Sequence, residues 1–361
     1  MRSGAKLYDI KVYSIAIVNI LMAPATNILS TGQQFCYDAQ GREISCEHSG
    51  QDAEYKTGIA IPENRCVVMN DIIYDSLTGL HWPVQANVAE FPLSWQEAFD
   101  FVNDLNDSNF HNFNDWRLPN RRELHSLISY QDTRPAIDRS FSFSEIFQSW
   151  YWSSTTAAIN KRYAWYIDFN GGRLSCGGKD QSFMVLPVRG NIEKHITKTG
   201  QQSCFNQKGD HIDCVGTGQD AEIASGIAWP EPRFSRYQDN VIDNLTGLVW
   251  AKSADTAGQP MDWSGALAVV ERLNDDSTHR TWRLPNINEL QSLVDASKAQ
   301  PALPDEHPFV SCQDTYWSST TSVYQPDWAW ALYLDKGALG VGQKQQAKFY
   351  VWAVSDPGYQ D

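Results

Sequence analysis

"WRLPNRRELHSL" occupies Trp116–Leu127 and "WRLPNINELQSL" occupies Trp282–Leu293, with nine of twelve positions identical. Pro119 disfavours helical backbone at Leu118. Asn120 can accept from the free N–H groups of the turn that follows, and Glu123, three residues on, completes a capping box. Leu124, Leu127 and Ile128 then fall on one helical face. Asn286, Glu289, Leu290, Leu293 and Val294 repeat the arrangement. The string therefore predicts a strand or loop end, a rigid turn and a capped helix. Its Trp and Leu are expected in a core, and Arg117 and Arg283 are expected to tie down a carbonyl or carboxylate.

Working outward, the rest of the chain aligns on itself at a nearly constant offset. "TGQQFC" at 31 meets "TGQQSC" at 199, "GQDAE" at 50 meets its copy at 218, and "LTGL" at 77 meets 245; the offset of 168 falls only to 165 at "YWSSTT" (151 and 316). This period exceeds that of solenoid repeats, roughly 20–50 residues, so the sequence predicts two tandem domains, 31–190 and 199–357, joined by a short polar linker, 191–198. Each unit is expected to close its own core while still touching the other.

Within a unit, Ser94 and Glu97 form a second capping box ahead of Trp95, Ala98, Phe99, Val102 and Leu105 at helical spacing. In the other copy Asp262 precedes Trp263, Ala266, Leu267, Val270 and Leu273. The alternating runs that follow, "YWSSTT", "YAWYIDFNGGRLS" and "SFMVLPVRG" with their counterparts, read as strands. Asn170-Gly171-Gly172 and Asp335-Lys336-Gly337 read as hairpin turns between them. Two helices followed by an antiparallel sheet is an α+β pattern.

The net charge of −14 divides between both halves, 13 basic against 20 acidic residues over 31–190 and 11 against 21 over 199–361. A basic face for nucleic acid or an anionic membrane is therefore not expected. Arg2, Lys6 and Lys11 precede an apolar run, Val12–Met22, and then Ala23-Pro24-Ala25, so residues 1–25 read as a secretory signal peptide. The run is too short to span a bilayer, and no membrane insertion is expected after its removal. Export suits the seven cysteines, because disulfides persist outside the cytoplasm. Cys36 and Cys46 flank a Gly-centred turn, as do Cys204 and Cys214, which predicts two local disulfides. Cys66, Cys176 and Cys312 have no counterparts; a bond between Cys66 and Cys176 is an option that leaves one thiol free.

The ordered motifs (a GQD segment, "LTGL", an amphipathic helix, "WRLPNxxEL", "YWSST" and a last strand) resemble the bacterial domain family described as the C-terminal domain of the Legionella collagen-like adhesin, in two copies covering nearly all of the mature chain. That family is similar in turn to the formylglycine-generating branch of the C-type-lectin-like fold. The resemblance implies two tandem C-type-lectin-like domains, each with two helices and a curled antiparallel sheet. For the adhesin it implies recognition of sulfated glycosaminoglycans and a trimeric assembly. This chain departs from the adhesin in lacking a Gly-X-Y region, in its second copy and in its acidity. Ser355 replaces Arg189 at the end of the second copy, which predicts the loss of an ion pair there.

Catalytic chemistry finds little support. The eight His do not recur between copies, and HExxH, GxSxG and P-loop strings are absent. Only Cys176 falls where the formylglycine-generating branch carries its cysteine pair; Val341 stands in the other copy and Cys312 lies before "YWSSTT". The hydroxyls of Ser153-Ser154-Thr155 and Ser318-Ser319-Thr320 are expected to bond backbone, without an adjacent base. No cofactor is expected, although calcium, on oxygens such as Asp168 with Asn170 or Asp104 with Asp107, is a candidate. Only the first copy carries a basic cluster, so Arg121, Arg122, Arg134 and Arg139 are the candidate ligand-binding residues. The sequence thus predicts an exported, non-enzymatic protein, periplasmic, surface-bound or released, which binds a glycan or a surface protein and could form an oligomer. The alternatives are a structural spacer in a surface assembly and a degenerate formylglycine-generating-type enzyme.

Overall fold

The computed structural model describes residues 27–192, 194–276 and 281–357; the expected signal peptide, 1–25, lies outside them. The first half runs β1 (Cys36–Tyr37), β2 (Glu43–Ile44), α1 (Asp52–Tyr55), β3 (Cys66–Met69), β4 (Ile72–Asp75), β5 (His81–Pro83), α2 (Trp95–Asp107), α3 (Arg121–His125), β6 (Trp150–Thr156), β7 (Tyr163–Asp168) and β8 (Arg173–Gly178). The second half repeats it as β9 (Cys204–Phe205), β10 (His211–Ile212), α4 (Asp220–Ile223), β11 (Phe234–Tyr237), β12 (Asn240–Asp243), β13 (Val249–Ala251) and α5 (Trp263–Asp276). It then continues with β14 (Trp282–Arg283), α6 (Ile287–Ser292), β15 (Thr315–Thr321), β16 (Trp328–Tyr333), β17 (Ala338–Gln343) and β18 (Val354–Ser355). The α+β pattern holds, with two corrections: the GQDAE segment forms a third short helix in each half, and a small hairpin sheet precedes α2 and α5.

Both capping boxes expected in the first half form. Ser94 Oγ accepts from Glu97 N and Asn120 Oδ1 from Glu123 N, while each Glu carboxylate takes its cap's backbone N–H. Asp262 Oδ1 accepts from Gly265 N at 2.9 Å at the start of α5. Trp95, Ala98, Phe99, Val102 and Leu105 are the buried face of α2, as their spacing predicts. The β7–β8 and β16–β17 hairpins turn where the glycines stand. Gly337 needs its residue type, because at φ +78° a Cβ would sit 2.8 Å from Val294 Cγ1.

The two halves are not separate bodies. Strands order as β15-β16-β17-β8-β7-β6 in one six-stranded sheet, with Leu339 paired to Leu174 at the seam. Below it one hydrophobic cluster includes Trp82, Leu124, Leu127 and Trp165 of the first half with Trp250, Leu290, Leu293 and Trp330 of the second. Tyr130 meets Trp330 edge-on, ring centres 5.0 Å apart. The expectation that each unit closes its own core is therefore corrected. Only the layers under α2 and under α5 are private to one half. The reason is geometric: α3 and α6 have five and six residues, too short to cover a sheet alone, so each borrows apolar surface from its counterpart.

Candidate functional site

The repeated string builds a buried ion pair into each half. Glu123 accepts from Arg117 Nη1 and Nη2, both at 2.6 Å, and from Asn120 N at 2.8 Å. Glu289 accepts from Arg283 at the same two distances and from Asn286 N at 2.8 Å. These arginines tie down a carboxylate, as expected. Each carboxylate then takes a hydroxyl from the opposite half: Ser225 Oγ donates to Glu123 at 2.8 Å, and Thr57 Oγ1 to Glu289 at 3.0 Å.

Those hydroxyls belong to a reciprocal exchange of amino-terminal arms. Residues 27–61 reach the second half at Leu245, Asn288, Glu289 and Thr320, and residues 195–229 reach the first at Arg122, Glu123 and Thr155. Asp52 Oδ2 accepts from Thr320 Oγ1 and Asp220 Oδ2 from Thr155 Oγ1, each at 2.7 Å. Lys344 Nζ donates to Tyr37 O at 3.0 Å and Asp38 O at 3.2 Å, and Lys179 Nζ to Phe205 O at 3.0 Å and Asn206 O at 3.3 Å. Each ammonium also reaches a Thr hydroxyl of its own half, Thr321 or Thr156, and lies over Trp263 or Trp95. All three donors of each Lys are thus used. Burial raises Asp52 and Asp220 to about 6 and pulls Lys179 and Lys344 down to about 7. The expected Cys36–Cys46 and Cys204–Cys214 disulfides form and staple the hairpin at each arm's tip. Cys66 and Cys176 do not pair; both are free thiols, as is Cys312.

Ser153 Oγ and Ser318 Oγ donate to Trp165 O and Trp330 O at 2.8 Å, the backbone bonds expected of them. The expectation that no base adjoins the hydroxyl runs is corrected, since Asp220 and Asp52 arrive from the opposite arm. Both acids are buried, at 3% and 2% exposure, and closed off from solvent. The loss of an ion pair at Ser355 is only half of what happens. Arg189 pairs with Asp115 at 2.6 Å, whereas Arg283 gains Asp356 at 2.5 Å, a position held by Gly190 in the first half.

The predicted arginine cluster does not assemble into one surface. Arg121 is 1% exposed, lies over the Trp165 ring at 3.8 Å and donates to Gly337 O. Arg122 bonds Thr197 Oγ1 and, at 2.7 Å, Val294 O across the seam. Both therefore join the halves. Arg134 and Arg139 remain exposed; Arg134 reaches Tyr324 OH at 3.0 Å, and Arg139 pairs with Asp132. Of the calcium candidates, Asp168 serves its local turn, its Oδ1 accepting from Asn170 N at 2.9 Å. Among the described residues no three His, Cys, Asp or Glu side chains converge as metal ligands.

A cleft of about 780 Å³ lies between the first arm and the loop after α3, lined by Gln33, Gln34, Phe35, Gln131, Asp132 and Arg139 among others. A second cleft of about 440 Å³, with Arg134, Phe141 and Phe143, meets it at Asp132, Asp138 and Arg139. Phe35 is 45% exposed, and Gln34 N donates to Gln131 Oε1 at 2.9 Å. Sequence reasoning missed Phe35, Gln34 and Gln131, although "TGQQFC" against "TGQQSC" held the signal: an apolar ring where the other copy has Ser203. The swapped pair Lys298–Asp305 stands where Asp132–Arg139 does, so that ion pair is a structural clip in both halves.

Two fused, arm-exchanged α+β units with a cleft beside Phe35 and a disulfide in each arm define a duplicated, sheet-rich, disulfide-stapled protein. The chain belongs to the family of the Lcl C-terminal domain, whose model matches residues 71–189 and again 239–355. Both matches leave out the exchanged arms. A comparison with curated proteins found no match. No described helix is long and apolar enough to cross a membrane.

Proposed function

We propose that this chain is an exported, non-enzymatic recognition protein made of two C-type-lectin-like halves, and that it holds a hydroxyl-rich oligosaccharide in the cleft beside Phe35. The observation that carries the reading is the make-up of that cleft: amides and carboxyls of Gln34, Gln131 and Asp132 next to a 45% exposed aromatic ring. Amide and carboxylate groups pair with neighbouring hydroxyls, and a ring face covers the apolar side of a sugar. A preference for sulfated chains loses its basis with Arg121 buried and Arg122 half-buried and bonded across the seam. Lys56 and Arg139 face Glu63, Asp132 and Asp138 in the cleft, which makes it no anion trap. The membership in an adhesin-derived family supports surface recognition, and the hydroxyl runs sealed in the sheet support a non-enzymatic role.

The test is a glycan array with the chain from residue 26 onward. Retention of neutral oligosaccharides is expected to fall at least about tenfold in Phe35→Ala with Gln131→Ala, the loss of one stacking and one polar contact. Unchanged retention refutes the cleft. An array that stays blank while a surface protein is captured supports protein recognition or the spacer reading instead.

A further inference from the structure

Between α3 and α6, lined by residues of both halves, lies a separate cavity of about 70 Å³, several times what one water needs. Arg65, Arg122, His125 and His195 line it with Asn288 and Gln291, and among the described residues neither Asp nor Glu does, in a chain of net charge −14. Arg65 is compensated by Asp75 at 2.7 Å and Asp138 at 3.2 Å. Arg122 is not: its partners are Thr197 Oγ1 and the carbonyls of Ser292 and Val294, all neutral. Asp295, Asp220 and Asp243 act on it only from beyond contact, and Arg233 opposes its charge. The neighbouring Arg121 also has no carboxylate partner. A guanidinium stays protonated, and leaving it without a carboxylate away from bulk water is costly; Arg121 is buried and Arg122 half-buried.

A second observation points to an occupant. Gln291 is 8% exposed and lines the cavity, and among the described residues its Nε2 has no partner; Asn288 Oδ1 and His195 Nδ1 are likewise unpartnered there. We propose that this cavity binds one small tetrahedral oxyanion, inorganic phosphate, which neutralises Arg122 and clamps the two halves. Gln291 Nε2 donates to one of its oxygens. Asn288 Oδ1 accepts from the protonated oxygen that hydrogen phosphate carries and sulfate lacks, so phosphate is preferred over sulfate.

Equilibrium dialysis of the full mature chain against radiolabelled inorganic phosphate decides the matter, with unlabelled sulfate as competitor. One phosphate retained per chain is expected, with affinity at least about tenfold weaker in Arg122→Gln and a few-fold weaker in Gln291→Leu, as for lost hydrogen bonds to a charged group. Sulfate is expected to compete less well than unlabelled phosphate. No retention above a protein-free control, the result for a cavity that holds only water, overturns the proposal, as does equal retention by the variants. If Arg122→Gln does not fold, Gln291→Leu, which removes only an unpartnered amide, is the deciding variant.

Discussion

Truncating Glu123 to Ala exposes how much the repeated string holds. The carboxylate receives two bonds from Arg117 at 2.6 Å, one from Asn120 N and one from Ser225 Oγ. Without it Arg117, whose side chain is 11% exposed, keeps only Gly190 O at 3.2 Å and Ser225 Oγ at 3.3 Å. A buried charge stripped of its partner costs about 3–5 kcal/mol, and loss of the cap adds about 1 kcal/mol. The sum consumes much of a typical stability of about 5–15 kcal/mol. Glu289→Ala should cost less, because Arg283 still holds Asp356 at 2.5 Å. Replacing the whole pair, Arg117→Met with Glu123→Leu, removes the stranded charge and should recover all but the capping loss. Urea denaturation followed by tryptophan fluorescence measures all four proteins. A Glu123→Ala protein within about 1 kcal/mol of wild type, or a double variant no more stable than the single one, would refute the stranding of Arg117.

Three further outcomes follow from the exchanged arms. Cutting an introduced protease site within 191–194 should leave both halves co-eluting in size exclusion until denaturant is added, since each holds the other's arm; separation in native buffer contradicts the exchange. Asp52 and Asp220 have folded-state pKa values raised to about 6 from the ordinary 3.8. Their contribution is therefore fully present below the lower value and lost as pH rises through about 6. Asp52→Asn with Asp220→Asn should stabilise the protein above pH 6 relative to wild type, with the advantage gone below the lower value; identical pH profiles would count against it. Lys179 and Lys344, lowered to about 7, act with the opposite sign, losing stability as pH falls from the unfolded value through 7. Met at both positions should flatten that limb.

Local chemistry was legible where the sequence carried its own partner. Asn120 and Glu123 are three residues apart, so the cap could be read directly, and the same holds for the stapled hairpins of Cys36–Cys46 and Cys204–Cys214. That Arg121 and Arg122 do not share one open surface with Arg134 and Arg139 was not legible, because the groups that hold them lie far along the chain, at Gly337 and Val294. Charge spacing reports how residues cluster along the chain and says nothing of what covers them. The buried Asp52, Asp220, Lys179 and Lys344 were visible in principle. Each recurs at the equivalent position, and a charge kept in both copies is better explained by a shared contact than by solvent.

Reciprocity also explains why the string is kept twice. In a chain whose arms folded back on their own half, Glu123 would need to suit only its own neighbours. Here its carboxylate caps a helix in one half and receives Ser225 from the arm of the other, while Glu289 does the same for Thr57. A change at either Glu therefore disturbs both halves. The copies diverge where they line the cleft and the central cavity, as Phe35 against Ser203 and Arg122 against Asn288 show. Symmetry is thus retained in the carboxylate contacts of the exchanged arms and abandoned at the cleft and the central cavity, the places where a single ligand would need only one set of partners.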